Sequence, residues 1–312
     1  MILLRMRGGR LGNQFFQYAF ARYLQIMNPN QELRINFDDV KSKNDDIGFE
    51  NSLKHFNIPS AESDFSISEV KTKFQKIITK IYWRFYPNIS YEQMRKKKEY
   101  QLKWIKILSL FGIYHFDYGY YKFPIKKKWF QKNLYIYGAF ESELYFSEIR
   151  NMLLEEFTPK YPTLETNAIL YQHINNEDSV AVSIRRGDFI KDDEVGKVHN
   201  VCTKEYFEKA ITLAQKLIHN PSFVFFSDDI EWVKKNLIID APCYYESGND
   251  PIWEKMRLMY SCKHFIISNS TFSWWGQYLG RYSQKIVIAP SRWLNSDIIP
   301  DIYQPHWHLI DV

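Results

Sequence analysis

Cysteine is scarce: Cys202, Cys243 and Cys262 are the only three in 312 residues. No two sit at metal-ligand or redox spacing, and an odd number gives no disulfide framework, which fits a reducing compartment. Asp-x-Asp is absent, and with it the arrangement by which many enzymes hold a cation against a diphosphate, so no metal is expected. The chain opens Met1-Ile2-Leu3-Leu4 and meets Arg5 and Arg7 at once. A secretory signal or membrane anchor needs a longer apolar stretch, so a cytoplasmic location is expected. Internal repeats and low-complexity tracts are lacking.

What is present is ordinary globular composition, 45% hydrophobic and 25% charged, with an aromatic share of 17%. Rings stack on sugars, but they also fill cores. A chain of this length exceeds what one core serves, which predicts two lobes with a cleft available between them. The net charge of +5 is unevenly spread: residues 71–106 carry eleven Lys or Arg against Glu92 and Glu99. There Phe74, Ile77, Ile78, Ile81, Tyr82 and Phe85 recur at steps of three and four, an amphipathic helix stopped by Pro87. A second such run extends from Arg95 through Trp104 to Leu108. The basic face is either simply solvated or attracted to anionic lipid or a lipid-linked acceptor. Nucleic acid is not expected, because no recognised binding motif accompanies the charge.

Short apolar strands alternate with amphipathic helices, the pattern of an α/β fold. Residues 1–6 read as a strand, Gly8, Gly9 and Gly12 as a tight loop, and Asn13 to Met27 as a helix. Such a loop lets backbone N–H groups approach an anion or sugar, although a tight turn alone explains the glycines equally well. A second lobe should begin near residue 160, where Pro159 and Pro162 follow the helical stretch Glu148–Phe157. Its strand Ser179–Ile184 runs into Arg185-Arg186-Gly187-Asp188-Phe189. Two guanidinium forks followed by glycine and a carboxylate suit a diphosphate at the carboxyl end of a strand. A surface arginine pair is the plainer alternative. The strand Ser222–Phe226 ends in Ser227-Asp228-Asp229, where an acid could accept from ribose or guanine, or cap the following helix. The strand His264–Ile267 ends in Ser268-Asn269-Ser270-Thr271-Phe272-Ser273-Trp274-Trp275-Gly276, whose hydroxyls and helix start suit phosphate.

Taken together, Gly8-Gly9-Arg10-Leu11-Gly12-Asn13-Gln14 with Gln17-Tyr18-Ala19, Ile184 to Phe189, and Asn269 to Gly276 resemble the alpha-1,2-fucosyltransferases of glycosyltransferase family 11. Tyr137-Gly138-Ala139-Phe140-Glu141-Ser142-Glu143 with Tyr145-Phe146, Val201-Cys202-Thr203 with Tyr206-Phe207, and Phe226 to Asp229 are similar too. The set spans most of the chain in order.

The resemblance implies a GT-B-like α/β fold of two facing Rossmann-like lobes with the donor cleft between them. Residues 1–160 would form the acceptor side, with a basic helical insertion at about 71–132, and residues 161–312 would bind a GDP-sugar. The implied reaction is inverting transfer of L-fucose from GDP-fucose to the 2-hydroxyl of a galactose, in an O-antigen, capsule or similar glycan. No cofactor is implied. Arg185 and Arg186 would hold the diphosphate and stabilise the departing GDP. Ser227, Asp228 and Asp229 would face guanine or ribose, and Asn269, Ser270, Thr271, Phe272, Ser273 and Trp274 the phosphates. The loop of Gly8, Gly9, Gly12, Asn13 and Gln14 would close over donor or acceptor. Ser183 stands near the nucleotide where many members carry His, which keeps another GDP-deoxysugar, such as colitose, open as donor. Asp188 is the nearest base for the acceptor hydroxyl, or an orienter of the arginines; Asp192, Asp193 and Glu194 are alternatives. A non-catalytic GDP-sugar or lipid-binding protein is the rival from another class.

Overall fold

The computed structural model describes residues 1–41, 50–59, 71–88, 93–187 and 193–312. They divide into two compact units, Met1–Thr158 with Ser296–Ile302, and Pro159–Asn295 with Tyr303–Val312.

The first unit is built on a parallel sheet ordered β2-β1-β4-β3, from β1 (Ile2–Arg5), β2 (Leu33–Asn36), β3 (Ile113–Tyr114) and β4 (Leu134–Ile136). Its first helix, α1 (Leu11–Met27), starts two residues before the expected Asn13 and is buried along most of its length. Phe15 stacks on Phe157 with ring centroids 3.9 Å apart, and Phe20 meets Phe140 at 4.4 Å. Tyr18 and Arg22 of α1 donate to the two oxygens of buried Glu156 at 2.7 and 2.8 Å, so this acid is satisfied from both sides. After the short α2 (Asp38–Lys41) come α3 (Lys73–Arg84), α4 (Met94–Leu110) and α5 (Arg150–Glu156).

The segment 71–132 is only partly a helical insertion. It holds α3 and α4, but Ile113–Tyr114 completes the sheet as its edge strand. The two units divide between Thr158 and Pro159, near the expected residue 160, but Ser296–Ile302, expected in the second lobe, groups with the first unit. Asp297 accepts the Arg95 N–H at 3.1 Å, and Asp301 accepts that of Tyr120 at 2.7 Å.

The second unit is a six-stranded parallel sheet ordered β10-β9-β8-β5-β6-β7. The strands are β5 (Asp178–Ile184), β6 (Pro221–Ser227), β7 (Cys243–Tyr245), β8 (His264–Ile266), β9 (Val287–Pro290) and β10 (His308–Ile310). Between them run α6 (Ala168–Asn176), α7 (Asp193–His199), α8 (Lys204–Leu217), α9 (Ile230–Asn236), α10 (Ile252–Ser261) and α11 (Thr271–Leu279). Helices on both faces explain why β6 is buried almost throughout, since a parallel sheet covered twice has no solvent side. On one face Val180, Val182, Ile184, Phe223 and Phe225 pack against Tyr206, Phe207 and Ala210 of α8 and Val233 of α9. The opposite face of β5 carries the small residues Ser179, Ala181 and Ser183. Ser179 Oγ donates to the Ile174 carbonyl of α6 at 2.9 Å, and Ser183 Oγ is 2.7 Å from Ser273 Oγ of α11. Small side chains there let both helices come close.

Gly276 closes the remaining layer. A Cβ at this position would lie 2.3 Å from Met259 Sδ on α10. Gly276→Ala is therefore expected to destabilise the chain by about 1–3 kcal/mol through overpacking. The double change with Met259→Ala should cost less than the two single changes added together. Thermal unfolding of the three variants checks this, and strict additivity would show that the helices move apart freely.

Candidate functional site

In the second unit the chain leaves β5 toward β6 and β7 on one side, then returns to its other side with β8, β9 and β10. Strand order thus reverses between β5 and β8, and open parallel sheets bind ligands beyond strand ends at such reversals. Arg185, Arg186 and Gly187 leave β5 there, and Ile267 to Ser270 leave β8 toward the start of α11.

One carboxylate shapes the first of these turns. Asp228 accepts the backbone N–H groups of Arg186 at 2.9 Å and Gly187 at 3.0 Å, and pairs with Arg185 Nη1 at 2.8 Å. A Cβ on Gly187 would stand 2.7 Å from an oxygen of the same carboxylate, so glycine is what lets the turn close on it. The Arg186 guanidinium lies 3.7 Å from the centroid of the Trp232 ring, with Nε 3.4 Å from Asp229. Asp229 also caps α9, accepting from Trp232 N–H at 3.2 Å, while its own N–H donates to Ser227 Oγ at 3.0 Å. Asp228 and Asp229, read as facing guanine or ribose or as capping the following helix, here fix two arginines and, through Asp229, the helix start.

The second turn is held by buried polar side chains. Ser273 Oγ lies 3.1 Å from Ser268 Oγ as well as 2.7 Å from Ser183, so three hydroxyls tie β5, the turn and α11 together. Ser183 is buried and engaged in this chain. Asn269 Nδ2 donates to the His199 carbonyl at 2.8 Å and the Trp293 carbonyl at 2.9 Å, fixing neighbouring segments. Ser270 is the N-cap residue of α11 without a side-chain cap bond, and Thr271 and Phe272, half-buried, begin the helix. The N–H groups of a first helical turn have no intrahelical acceptor, so this end suits an anion. Trp274 does not belong with them: it is 0% exposed and stacks on Tyr278 at 4.8 Å, seating α11 in the core. Asp188 and Asp192 lie outside the described residues, and Asp193 and Glu194 begin α7.

The first unit has its own reversal, between β1 and β4. Gly8 and Gly9 follow β1 with φ of 65° and 91°, values that L side chains avoid. A Cβ on Gly9 would come 2.8 Å from the Asn13 Cβ. The loop is stapled by α1: Gln14 Nε2 donates to the Gly9 carbonyl at 3.0 Å, and Gln17 Oε1 accepts the Arg7 N–H at 2.7 Å. Gly12 and Gln14 are buried in the first turns of α1. Gln14 is thereby a brace of the loop, and Asn13 the residue that reaches outward.

Asn13 Nδ2 donates to Glu141 Oε1 at 3.0 Å. Glu141 follows β4 and sits next to Phe140, whose φ of 54° is left-handed, a conformation costing a bulky residue about 1–3 kcal/mol. Phe140 is fully buried against Phe20 and Tyr145, and that packing holds the strained turn. Nearby, Asp117 pairs with Arg7, and accepts Gln101 Nε2 at 2.9 Å and the Ala139 N–H at 3.0 Å. Burial pushes the Asp117 carboxyl up, but Arg7, His115 and these hydrogen bonds together hold it below the usual range. Glu141 goes the other way. Burial, with the Asp117 charge adding, raises it to about 7, while Arg7 and Asn13 pull it down. Two carboxyl groups pushed apart in this way form an acid–base pair of environments.

The sequence model of glycosyl transferase family 11 matches residues 2–311. The chain belongs to glycosyl transferase family 11. This family-11 chain is 32% identical over 303 residues to an alpha-1,2-colitosyltransferase of Escherichia coli, covering 95% of this chain and 93% of that protein. It is 30% identical over 301 residues to the O-antigen biosynthesis glycosyltransferase WbnK of Escherichia coli, covering 91% and 92%. Over 146 residues it is 27% identical to the galactoside 2-alpha-L-fucosyltransferase Sec1 of Mus musculus, covering 43% and 39%. For this glycosyltransferase, reading the sequence picked out the Arg185–Gly187 turn and the glycine loop. It gave Arg7, Asp117 and Glu141 no role, although the Tyr137–Glu143 stretch was already singled out.

Glu141 yields a direct test. Between its ordinary value of 4.5 and about 7 the folded chain holds a proton there that the unfolded chain has lost. Stability should therefore decline as pH rises through that window. Glu141→Gln should flatten the decline, as read by thermal unfolding from about pH 5 to pH 8. Identical profiles for both proteins would show that Glu141 titrates as an ordinary carboxylate.

Proposed function

We propose that the chain transfers a 6-deoxy sugar, L-fucose, from its GDP ester to the 2-hydroxyl of a galactose in an oligosaccharide or lipid-linked glycan, with inversion and without a metal. The observation that carries this reading is the Arg185-Arg186-Gly187 turn, cross-braced by Asp228 at the β5–β8 reversal beside the start of α11. Guanidinium groups fixed before the substrate arrives stabilise charge that grows on the leaving diphosphate, at little reorganisation cost. The acceptor oxygen attacks the anomeric carbon. The carbon–phosphate oxygen bond breaks with its electron pair going to GDP, and the hydroxyl proton passes to a base. Asp188, next to the arginines in sequence, is offered as that base.

A second reading, transfer of colitose, is supported by the likeness to an alpha-1,2-colitosyltransferase along nearly the whole chain. The α-1,2 linkage is shared by both readings. Incubating the chain with GDP-fucose and GDP-colitose on galactose-terminated acceptors, then reading product mass and linkage, separates them. Turnover should survive EDTA. Loss in chelator with recovery on adding Mg²⁺ or Mn²⁺ would refute the arginine-based account, and no product with any GDP-sugar would leave a binding protein.

The clamp makes an opposite-sign prediction. Arg185→Ala and Arg186→Ala should each weaken GDP binding by about 10- to 100-fold, the worth of a charge-assisted hydrogen bond. Asp228→Ala removes a negative charge, yet should also weaken GDP at least about tenfold, because the turn loses its acceptor. Calorimetry decides, and tighter binding in Asp228→Ala would mean that the carboxylate only repels the diphosphate. Asp188→Asn should lower kcat and spare GDP affinity if Asp188 is the base, whereas loss of both would make it an orienter of the arginines.

A further inference from the structure

Helix α3 buries one narrow face. Gln75 Nε2 donates to the Phe111 carbonyl at 3.0 Å, Tyr82 sits among Leu3, Leu108, Ile113 and Tyr135, and Ile78 packs beside it. At 100° per residue these three span about 60° of the helix. The adjoining arc of about 80° carries Phe74, Ile77, Ile81 and Phe85. They are 71%, 58%, 43% and 63% exposed. Beyond that stripe, away from the buried face, stand Lys73, Lys76, Lys80 and Arg84, all exposed. An apolar stripe of this spacing ordinarily faces a core; here it faces outward with cations along its free edge.

A second apolar feature sits at the same corner. Trp129 is 93% exposed, next to exposed Phe130 and among exposed Lys126, Lys128 and Lys132. Gln131 Nε2 ties this loop to the carbonyls of Ser109 at 2.9 Å and Leu110 at 3.0 Å, one residue from the carbonyl that anchors Gln75. The Phe111 ring stacks on Phe74 with centroids 6.4 Å apart.

We propose that this corner of the first unit docks on an anionic lipid bilayer, with α3 lying in the interface plane. Phe74, Ile77, Ile81, Phe85 and Trp129 enter the boundary between headgroups and acyl chains, and the flanking lysines meet lipid phosphates. The chemistry favours a bilayer over other partners on three grounds. A stripe bordered by cations of one sign matches an anionic surface, and residues 71–106 hold eleven cations against two acids. Exposed Trp beside Lys is the composition of an interfacial anchor. Aliphatic side chains in a row offer nothing to the phosphates or bases of a nucleic acid. The proposal concerns a surface of the first unit and does not rest on the transfer reaction.

The test floats the full chain with vesicles of phosphatidylcholine alone or mixed with phosphatidylglycerol. Wild type should bind the anionic vesicles, with a blue-shifted tryptophan emission, and leave the neutral ones. Ile77→Asp with Ile81→Asp should reduce binding at least about tenfold by removing the inserted stripe. Lys73, Lys76 and Lys80 changed together to Gln should reduce it on the order of 100-fold, since each cation contributes roughly fivefold. Circular dichroism and the unfolding midpoint should match wild type in both. No binding by wild type, or binding unaltered by the isoleucine pair, overturns the proposal. So does a dimer that the isoleucine pair dissociates in sedimentation while wild type ignores vesicles, which would assign the stripe to a second copy of the chain.

Discussion

The Asp228 carboxylate accepts two consecutive backbone N–H groups and a guanidinium, and this single grip fixes how the chain leaves the central strand of the second unit. Much of the local sequence follows from it. Gly187 is required because a Cβ would strike the carboxylate. Asp229 caps α9 with one oxygen and approaches Arg186 with the other. Trp232 then supplies a ring under Arg186. Local charge nearly cancels here, two arginines against two aspartates. What the turn offers to an anion is therefore less net charge than donors fixed in place, next to the start of α11.

The same logic separates what could be read from the sequence from what could not. Strands β5, β6 and β8 were legible because a sheet covered on both faces needs apolar runs, of which Ser222–Phe226 is the clearest, whereas the three-residue β7 and β10 and the four-residue β9 were too short to read. The polar residues at each strand end marked the crevice. Their roles were less legible. Asp228 reads as a group facing guanine or ribose, or as a helix cap, before the backbone it grips is visible, and Trp274, grouped by sequence with phosphate-facing residues, is stacked in the core. Alternation could not distinguish an aromatic that faces a ligand from one that seats a helix.

The first unit was harder to read, for a physical reason. Arg7, Asp117 and Glu141 come from the ends of three different strands, and only the parallel sheet brings them together. No spacing along the chain encodes that. The outward stripe of α3 was misleading in the opposite sense: its periodicity predicts a helix correctly, but periodicity cannot tell a face turned to the core from a face turned away from it. Solvent exposure decides, and it separates Tyr82 from Ile81 although they are neighbours in sequence.

Under the proposed transfer, discrimination between fucose and colitose would not come from the Arg185–Gly187 turn, because the two donors share the GDP that the turn is proposed to hold. They differ by one hydroxyl on the sugar. A site that buries a hydrogen-bonding group for that hydroxyl rejects the analogue lacking it by about 10⁴-fold or more, because the protein group is left unpaired. A site that meets it with apolar surface separates the two by only about 10²-fold. Nor does Ser183 reach out to make the choice, since its hydroxyl is buried against Ser273. A larger ring at that position would press on α11, so the small residue acts by letting the helix start close to β5. Under that proposal selectivity would lie with side chains around the sugar, and a steep preference for either donor would reveal a buried polar group placed against the distinguishing carbon.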